Sequence, residues 1–75
     1  MSKTASCDLS GMWCPLPIIH INRHLKHLEK GSLLVAKVTD PLAAYDVPDY
    51  CSATGNNLEK TEVGSDHILF YLRKC

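Results

Sequence analysis

The residues best suited to chemistry lie at positions 11–17, which read G-M-W-C-P-L-P. Cys14 stands directly before Pro15, and a run with helical spacing follows at residues 16–30. Proline is favoured at the start of a helix because its missing N–H costs no hydrogen bond there. The pattern therefore predicts that Cys14 lies at or next to the helix N-cap. Free amide groups and the helix dipole favour an anionic sulfur at that position, so we expect a nucleophilic thiolate.

The residues next to Cys14 determine how a partner protein could contact its sulfur. Pro15 and Pro17 fix the backbone φ in the first helical turn, and we interpret them as rigid supports of the helix start. Trp13 is either a core anchor or an exposed residue that contacts a partner protein, since tryptophan is enriched in such contacts. Leu16 and Arg23, on the helix that follows, are the other candidates for partner docking.

A row of histidines forms a second candidate site. His20, His24 and His27 follow one another at spacings of four and three, which places them on one helical face. Imidazole nitrogens in this arrangement could hold zinc or copper. A metal site also needs further ligands and supporting groups, and this row lies beside an apolar stripe, so solvated or half-buried histidines are the favoured interpretation. We therefore expect no metal and no other cofactor.

The remaining cysteines bear on the cellular compartment. The four cysteines contain no C-x-x-C pair, so neither a thioredoxin-like motif nor a zinc knuckle is indicated. Cys7 and Cys51 are expected to pack in the core and Cys75 to be exposed, although Cys7 could also assist Cys14. The first residues lack an apolar signal core, and no apolar run approaches the length of a membrane span. We therefore expect a cytoplasmic protein with reduced thiols.

Length and charge limit the kinds of function. The 75 residues suit one small domain, residues 1–75, which is too small to enclose a large cofactor. A partner would therefore complete any larger active site. Lys plus Arg and Asp plus Glu number eight each, so no basic excess indicates autonomous nucleic-acid binding.

The residue pattern also predicts the elements that position these groups. Strands are expected at residues 3–9, 32–39, 58–63 and 67–73, and helices at residues 16–30 and 47–54. Asp46 is the expected N-cap of the second helix, with Pro48 in its first turn, while residues 42–45 form a separate short turn. This order favours an α+β fold, a two-layer α/β sandwich βαβαββ with a four-stranded mixed sheet and two helices on one face.

These elements and their connecting residues resemble the TusA/SirA-like sulfur carrier proteins. Their pattern is an acidic residue, a glycine, C-P-x-P opening a helix, a glycine, a strand, an acidic-Pro break, and a D-I-P or D-V-P helix start that ends in glycine. The matching residues here are Asp8, Gly11, Cys14-Pro15-Leu16-Pro17, Gly31, Asp40-Pro41, Asp46-Val47-Pro48 and Gly55. The match covers residues 7–74.

The resemblance implies the βαβαββ sandwich and a sulfur relay on Cys14 alone. A cysteine desulfurase or a rhodanese-type sulfurtransferase would give Cys14 a sulfur as a persulfide, and the chain would pass it to a sulfur-accepting protein. Such relays serve thiolation of the tRNA wobble uridine, molybdenum cofactor synthesis or dissimilatory sulfur oxidation. The implied partners are proteins, with a transient tRNA-modification complex among them, and neither membrane binding nor stable nucleic-acid binding is expected.

Two other functions stay open from the residues themselves. The chain could be a non-catalytic regulatory or thiol-redox interaction module in which Cys14 only senses oxidation. It could also be a small metal-binding protein that uses the histidine row.

Overall fold

Strands and helices follow one another in the predicted βαβαββ order. The computed structural model describes residues 3–75. The elements are β1 Thr4–Leu9, α1 Leu16–Lys26, β2 Leu33–Val38, α2 Ala43–Thr54, β3 Asn57–Val63 and β4 Ile68–Arg73. The four strands agree with the sequence prediction to within one residue at each end.

The strands form a single four-stranded sheet in the order β1-β2-β4-β3. β1 and β2 run parallel, whereas β4 runs antiparallel to both of its neighbours. The mixed sheet that the sequence predicts is therefore confirmed. Because β1 and β2 are parallel and β4 starts opposite Val38, three connections meet at one end of the sheet. They are the β1–α1 loop, the β2–α2 loop and the β3–β4 turn.

One face of the sheet packs against both helices. Every second residue of β2 and β4 is buried, as expected for strands with a single face toward the core. From α1, Ile21 and Leu25 enter this core, and from α2, Val47 and Cys51 do so. The largest fully buried side chain is Phe70, at the centre of β4. The two-layer sandwich is therefore also confirmed.

The first helix is shorter than its periodicity predicts. It ends at Lys26 rather than at residue 30, and His27 is its C-cap. The Lys74 ammonium donates a hydrogen bond to the Leu25 carbonyl, so a residue remote in sequence satisfies the end of α1. The chain then turns at Gly31, whose φ of +88° favours glycine. Leu28, although outside the helix, still packs against the core.

The second helix is longer than predicted, because it begins at Ala43 rather than at Val47. Asp46 is therefore not its N-cap but lies in its first turn. The start is stabilised from upstream by Asp40. Its carbonyl accepts the Ala43 N–H at 3.1 Å, and its carboxylate accepts the Leu42 N–H at 3.0 Å.

Candidate functional site

Cys14 lies in the loop between β1 and α1, at the end of the sheet where the three connections meet. Its side chain is exposed. The next residue, Pro15, is the N-cap of α1, and Pro17 lies in the first turn with its side chain buried. Cys14 thus stands next to the helix N-cap, as its position before Pro15 predicts. The peptide bond between these two residues is cis.

A buried carboxylate holds this loop in place. The Cys14 N–H donates to the Asp40 carboxylate at 2.8 Å, and the other oxygen of this carboxylate accepts the Leu42 N–H. The Asp40 side chain is only 2% exposed. Nearby, the Gly11 N–H donates to the Thr39 hydroxyl at 2.8 Å. Asp40 therefore joins the Cys14 loop to the start of α2, a positioning role that its place in the acidic-Pro break does not predict.

The environment of the Cys14 thiol shifts its pKa in the direction opposite to the prediction. A hydrogen bond to Asp46 raises the pKa of the Cys14 thiol, and desolvation and the negative charges of Asp46 and Asp40 raise it further. The helix start offers little to oppose this effect. Pro15 and Pro17 have no N–H, and the Leu16 N–H already donates to the Trp13 carbonyl at 3.0 Å. The surroundings of Cys14 therefore raise the pKa of its thiol, contrary to the lowering that the sequence predicts.

Large apolar side chains lie exposed around Cys14. Trp13 and Leu16, which flank it in sequence, are 65% and 46% exposed. Leu42 and Tyr45, at the start of α2, are 57% and 73% exposed. We call these four residues the apolar rim. Trp13 is thus an exposed residue and not a core anchor. The sequence does not predict Leu42 and Tyr45 as docking residues. The feature that could have indicated them is their position along the chain close to Asp40 and Asp46.

The outer stripe of α1 continues the apolar rim. Leu16, Ile19 and Arg23 recur at spacings of three and four and are exposed. The buried stripe of the same helix consists of Pro17, Ile21 and Leu25. The candidate docking residues Trp13, Leu16 and Arg23 are therefore all accessible, and Arg23 adds a positive charge in the last turn of α1.

The other cysteines are separate from the Cys14 chemistry. Cys51 is buried in the core and Cys75 is exposed, as predicted. Cys7 is half-buried and packs against the core, and burial together with the nearby Asp8 raises its pKa to about 11. A thiol with this pKa is a weak nucleophile at neutral pH, so the structure does not favour an assisting role for Cys7.

The histidine row does not form a metal site. In the part of the chain covered by residues 3–75, no group of three or more His, Cys, Asp or Glu side chains could hold a metal ion. His20 is half-buried on α1, whereas His24 and His27 are exposed near the end of that helix. Neither α1 nor α2, the helices of this same part, has the length and apolar character needed to cross a bilayer.

Comparison with known proteins adds the family. The family described as "Sulfurtransferase TusA" matches residues 5–74. A protein named "Sulfur carrier protein TusA" from Pseudomonas putida F1 is 31% identical over 70 residues, which are 93% of this chain and 88% of the relative. One of the same name from Pseudomonas syringae pv. syringae B728a is 30% identical over 74 residues, 99% of this chain and 88% of the relative.

A solved structure shows the same fold. The crystal structure of the SirA-like protein from Desulfitobacterium hafniense superposes with a TM-score of 0.80 and is 21% identical in sequence. The comparison covers 92% of this chain and 95% of that one. With the family match and the relatives, this places an exposed cysteine before a proline-capped helix on a known carrier fold. The chain therefore belongs to the TusA sulfurtransferase family, a family of sulfur carrier proteins.

Proposed function

We propose that this protein is a sulfurtransferase that carries a sulfane sulfur as a persulfide on Cys14. The observation that supports this most is the placement of the Cys14 thiol, which is exposed while its backbone is held by buried Asp40. Such an arrangement lets a second protein reach the sulfur without moving the loop. Membership of the sulfur carrier family supports the same function.

Loading of the carrier is a displacement at sulfur. The Cys14 thiol loses its proton, and its sulfur forms a bond to the outer sulfur of a donor persulfide. The S–S bond of the donor breaks at the same time, and the donor cysteine leaves as a thiolate that takes up a proton. The products are a Cys14 persulfide and a donor thiol. Electrons and protons balance, so the exchange needs no added oxidant.

Discharge follows the same chemistry, but Cys14 is now the leaving group instead of the nucleophile. The thiolate of an acceptor protein attacks the outer sulfur of the Cys14 persulfide, and the Cys14 sulfur leaves and regains a proton. We infer a cysteine desulfurase or a rhodanese-type protein as donor and a sulfur-accepting protein as acceptor. Thiolation of tRNA, molybdenum cofactor synthesis and sulfur oxidation are the candidate pathways. The cytoplasmic location stays a prediction.

The apolar rim is the proposed docking surface for both partners. Trp13 and Leu16 flank Cys14 in sequence, and Leu42 and Tyr45 lie at the start of α2, which Asp40 joins to the Cys14 loop. Exposed aromatic residues of this kind supply much of the binding energy in protein interfaces. Arg23, farther along α1, would contact the edge of the same partner. A partner that covers the rim would also shield the exposed sulfur from water and oxidants.

Intact mass measurement tests the carrier function. The protein is incubated with a cysteine desulfurase and L-cysteine, beside Cys14→Ser and the matched control Cys75→Ser, which removes the other exposed thiol. We expect wild type and Cys75→Ser to gain one sulfur atom and Cys14→Ser to gain none. If Cys14→Ser is loaded as well as wild type, or no form is loaded by several donors, the proposal is wrong.

A further inference from the structure

The end of the sheet opposite to Cys14 gathers basic residues from several parts of the chain. The starts of β1 and β2, the last residues of β4 and the last turn of α1 meet there. The Leu33 N–H donates to the Lys3 carbonyl at 2.7 Å, and the Lys74 ammonium donates to the Leu25 carbonyl at the end of α1. Residues far apart in sequence thus form one surface, which the overall charge balance of the chain conceals.

Five side chains on this surface are exposed and carry a positive charge or can take one up. We call them the basic end: Lys3, His24, Lys26, His27 and Lys30. Among residues 3–75, the acidic side chains nearby are Glu29, which is exposed, and Glu59, which forms an ion pair with Arg73 at 2.9 Å. Lysine and arginine therefore outnumber the acidic side chains here, and the surface is positive although the chain has no net charge.

The basic end has no exposed apolar anchor. Among residues 3–75, the large hydrophobic side chains that are exposed lie on the apolar rim, at Ile19 in the first turn of α1 and at Val63 at the end of β3. Protein interfaces use aromatic and apolar anchors and are depleted in lysine, and a site on a membrane surface needs an apolar face to insert. A docked protein or a bilayer therefore fits the basic end poorly.

Lysines and imidazoles together suit a nucleic acid. Lysine ammonium groups contact phosphates without reading the sequence, and histidine rings are among the side chains on which unpaired bases stack. His24 and His27 are three residues apart, a spacing that makes side chains neighbours on a helix surface. Lys26 lies between them in sequence. The histidine row, which forms no metal site within residues 3–75, thus offers flat rings beside cations.

We propose that the basic end binds a single-stranded nucleic acid. Lys3, Lys26 and Lys30 contact its phosphates, and His24 and His27 stack on its bases. The site lies at the opposite end of the sheet from the reactive thiol, so a bound strand leaves the sulfur and the apolar rim accessible to a partner protein. The site does not depend on sulfur transfer, because none of these side chains takes part in it. Three phosphate contacts make the binding weak and dependent on salt.

The salt dependence of binding measures the phosphate contacts. A fluorescent oligouridine of about 20 nucleotides, longer than one such site, is titrated with the whole protein at several salt concentrations, and its anisotropy is recorded. Three contacts on a single strand predict a slope of about −2 for log K against log salt concentration, since each contributes about −0.7. The Lys26→Gln, Lys30→Gln double variant should reduce the slope to about −0.7. The matched double variant Lys37→Gln, Lys60→Gln, on β2 and β3, should keep the wild-type slope.

Removal of the two rings tests the stacking. In a mildly alkaline buffer that keeps free imidazole neutral, the His24→Ala, His27→Ala double variant should bind oligouridine at least about fivefold more weakly than wild type. Its binding of polyglutamate, which has charges but no bases, should not change. His67→Ala, just before β4, is the matched control and should bind oligouridine like wild type. Circular dichroism confirms that each variant is folded.

The contrary outcomes are specific. Absence of oligouridine binding even at low salt overturns the proposal, and so does an equal loss of slope in the Lys37→Gln, Lys60→Gln variant. If polyglutamate binds as tightly as oligouridine and the histidine variant does not differ from wild type, the basic end is a surface for acidic proteins instead. Preferential binding to phosphatidylserine vesicles would assign it to a membrane and also overturn the proposal. Cys14→Ser should bind oligouridine like wild type, so a failure of sulfur loading leaves this result unaffected.

Discussion

Replacement of Asp40 by asparagine tests whether one carboxylate positions the reactive loop. In the native protein the two Asp40 oxygens accept the N–H groups of Cys14 and Leu42, at 2.8 and 3.0 Å. Asparagine has one oxygen and one NH₂ group, so it can accept only one of these N–H groups and turns a donor toward the other. The perturbation is therefore local and keeps the side-chain volume.

The expected cost follows from these two bonds. A hydrogen bond to a charged acceptor contributes about 1.5–3 kcal/mol, and one such bond is lost. The second becomes a neutral bond and loses about half of its strength, whereas the amide is cheaper to bury than the charged carboxylate of a residue only 2% exposed. We estimate a net loss of about 1–3 kcal/mol in the free energy of unfolding, a large share of the roughly 5–15 kcal/mol of a typical domain.

Urea unfolding measures this loss. With an m value of about 1 kcal/mol/M for so small a domain, the Asp40→Asn midpoint should fall by about 1–3 M. Native-state hydrogen exchange should also show faster exchange of the Cys14 and Leu42 amides. The matched control is Asp49→Asn, an exposed position where we expect a change within about 0.5 kcal/mol. If Asp40→Asn is as stable as this control and the two amides stay protected, Asp40 does not position the loop.

Three further results are expected. Below about pH 9 burial of the Cys7 thiol stabilises the fold, and this contribution is lost as the pH rises through its folded pKa of about 11. The difference in free energy of unfolding between wild type and Cys7→Ala, measured in urea, should therefore shrink across that range. A constant difference would contradict the raised pKa of Cys7. Phe70→Ala should lower the free energy of unfolding by about 3–5 kcal/mol because Phe70 is fully buried, whereas exposed Tyr45→Ala should change it by less than about 0.5 kcal/mol. Trp13→Ala should slow loading by a protein donor more than alkylation by iodoacetamide, with Trp13→Phe intermediate; equal effects on both rates would remove Trp13 from the docking surface.

The sequence predicts the elements well because each strand and helix has its own local pattern. The alternation in β2 and β4 and the buried stripe of α1 are read directly from residue spacing. The ends of the helices are less predictable because distant residues determine them. Lys74 satisfies the Leu25 carbonyl from 49 positions away, and Leu42, whose N–H donates to Asp40, is the N-cap of α2 in place of Asp46.

The candidate site, too, is predictable from the sequence only where the signal is local. The position of Cys14 beside the helix N-cap follows from the proline after it, which is a local signal. The raised pKa of its thiol does not, because Asp46 and Asp40, whose negative charges contribute to the rise, come near Cys14 only after the chain has folded. Likewise, Trp13 stands in a short loop without periodicity, so the sequence could not decide between a buried and an exposed side chain.

The carboxylate of Asp40 has a mechanical consequence. Because this carboxylate accepts the N–H groups of both Cys14 and Leu42, a displacement of the first turn of α2 would be transmitted to the loop that carries Cys14. The Cys14 loop and the start of α2, both part of the proposed docking surface, are thus joined through one buried side chain. A donor protein and an acceptor protein of unrelated shape would therefore both find the Cys14 sulfur at the same position relative to α2.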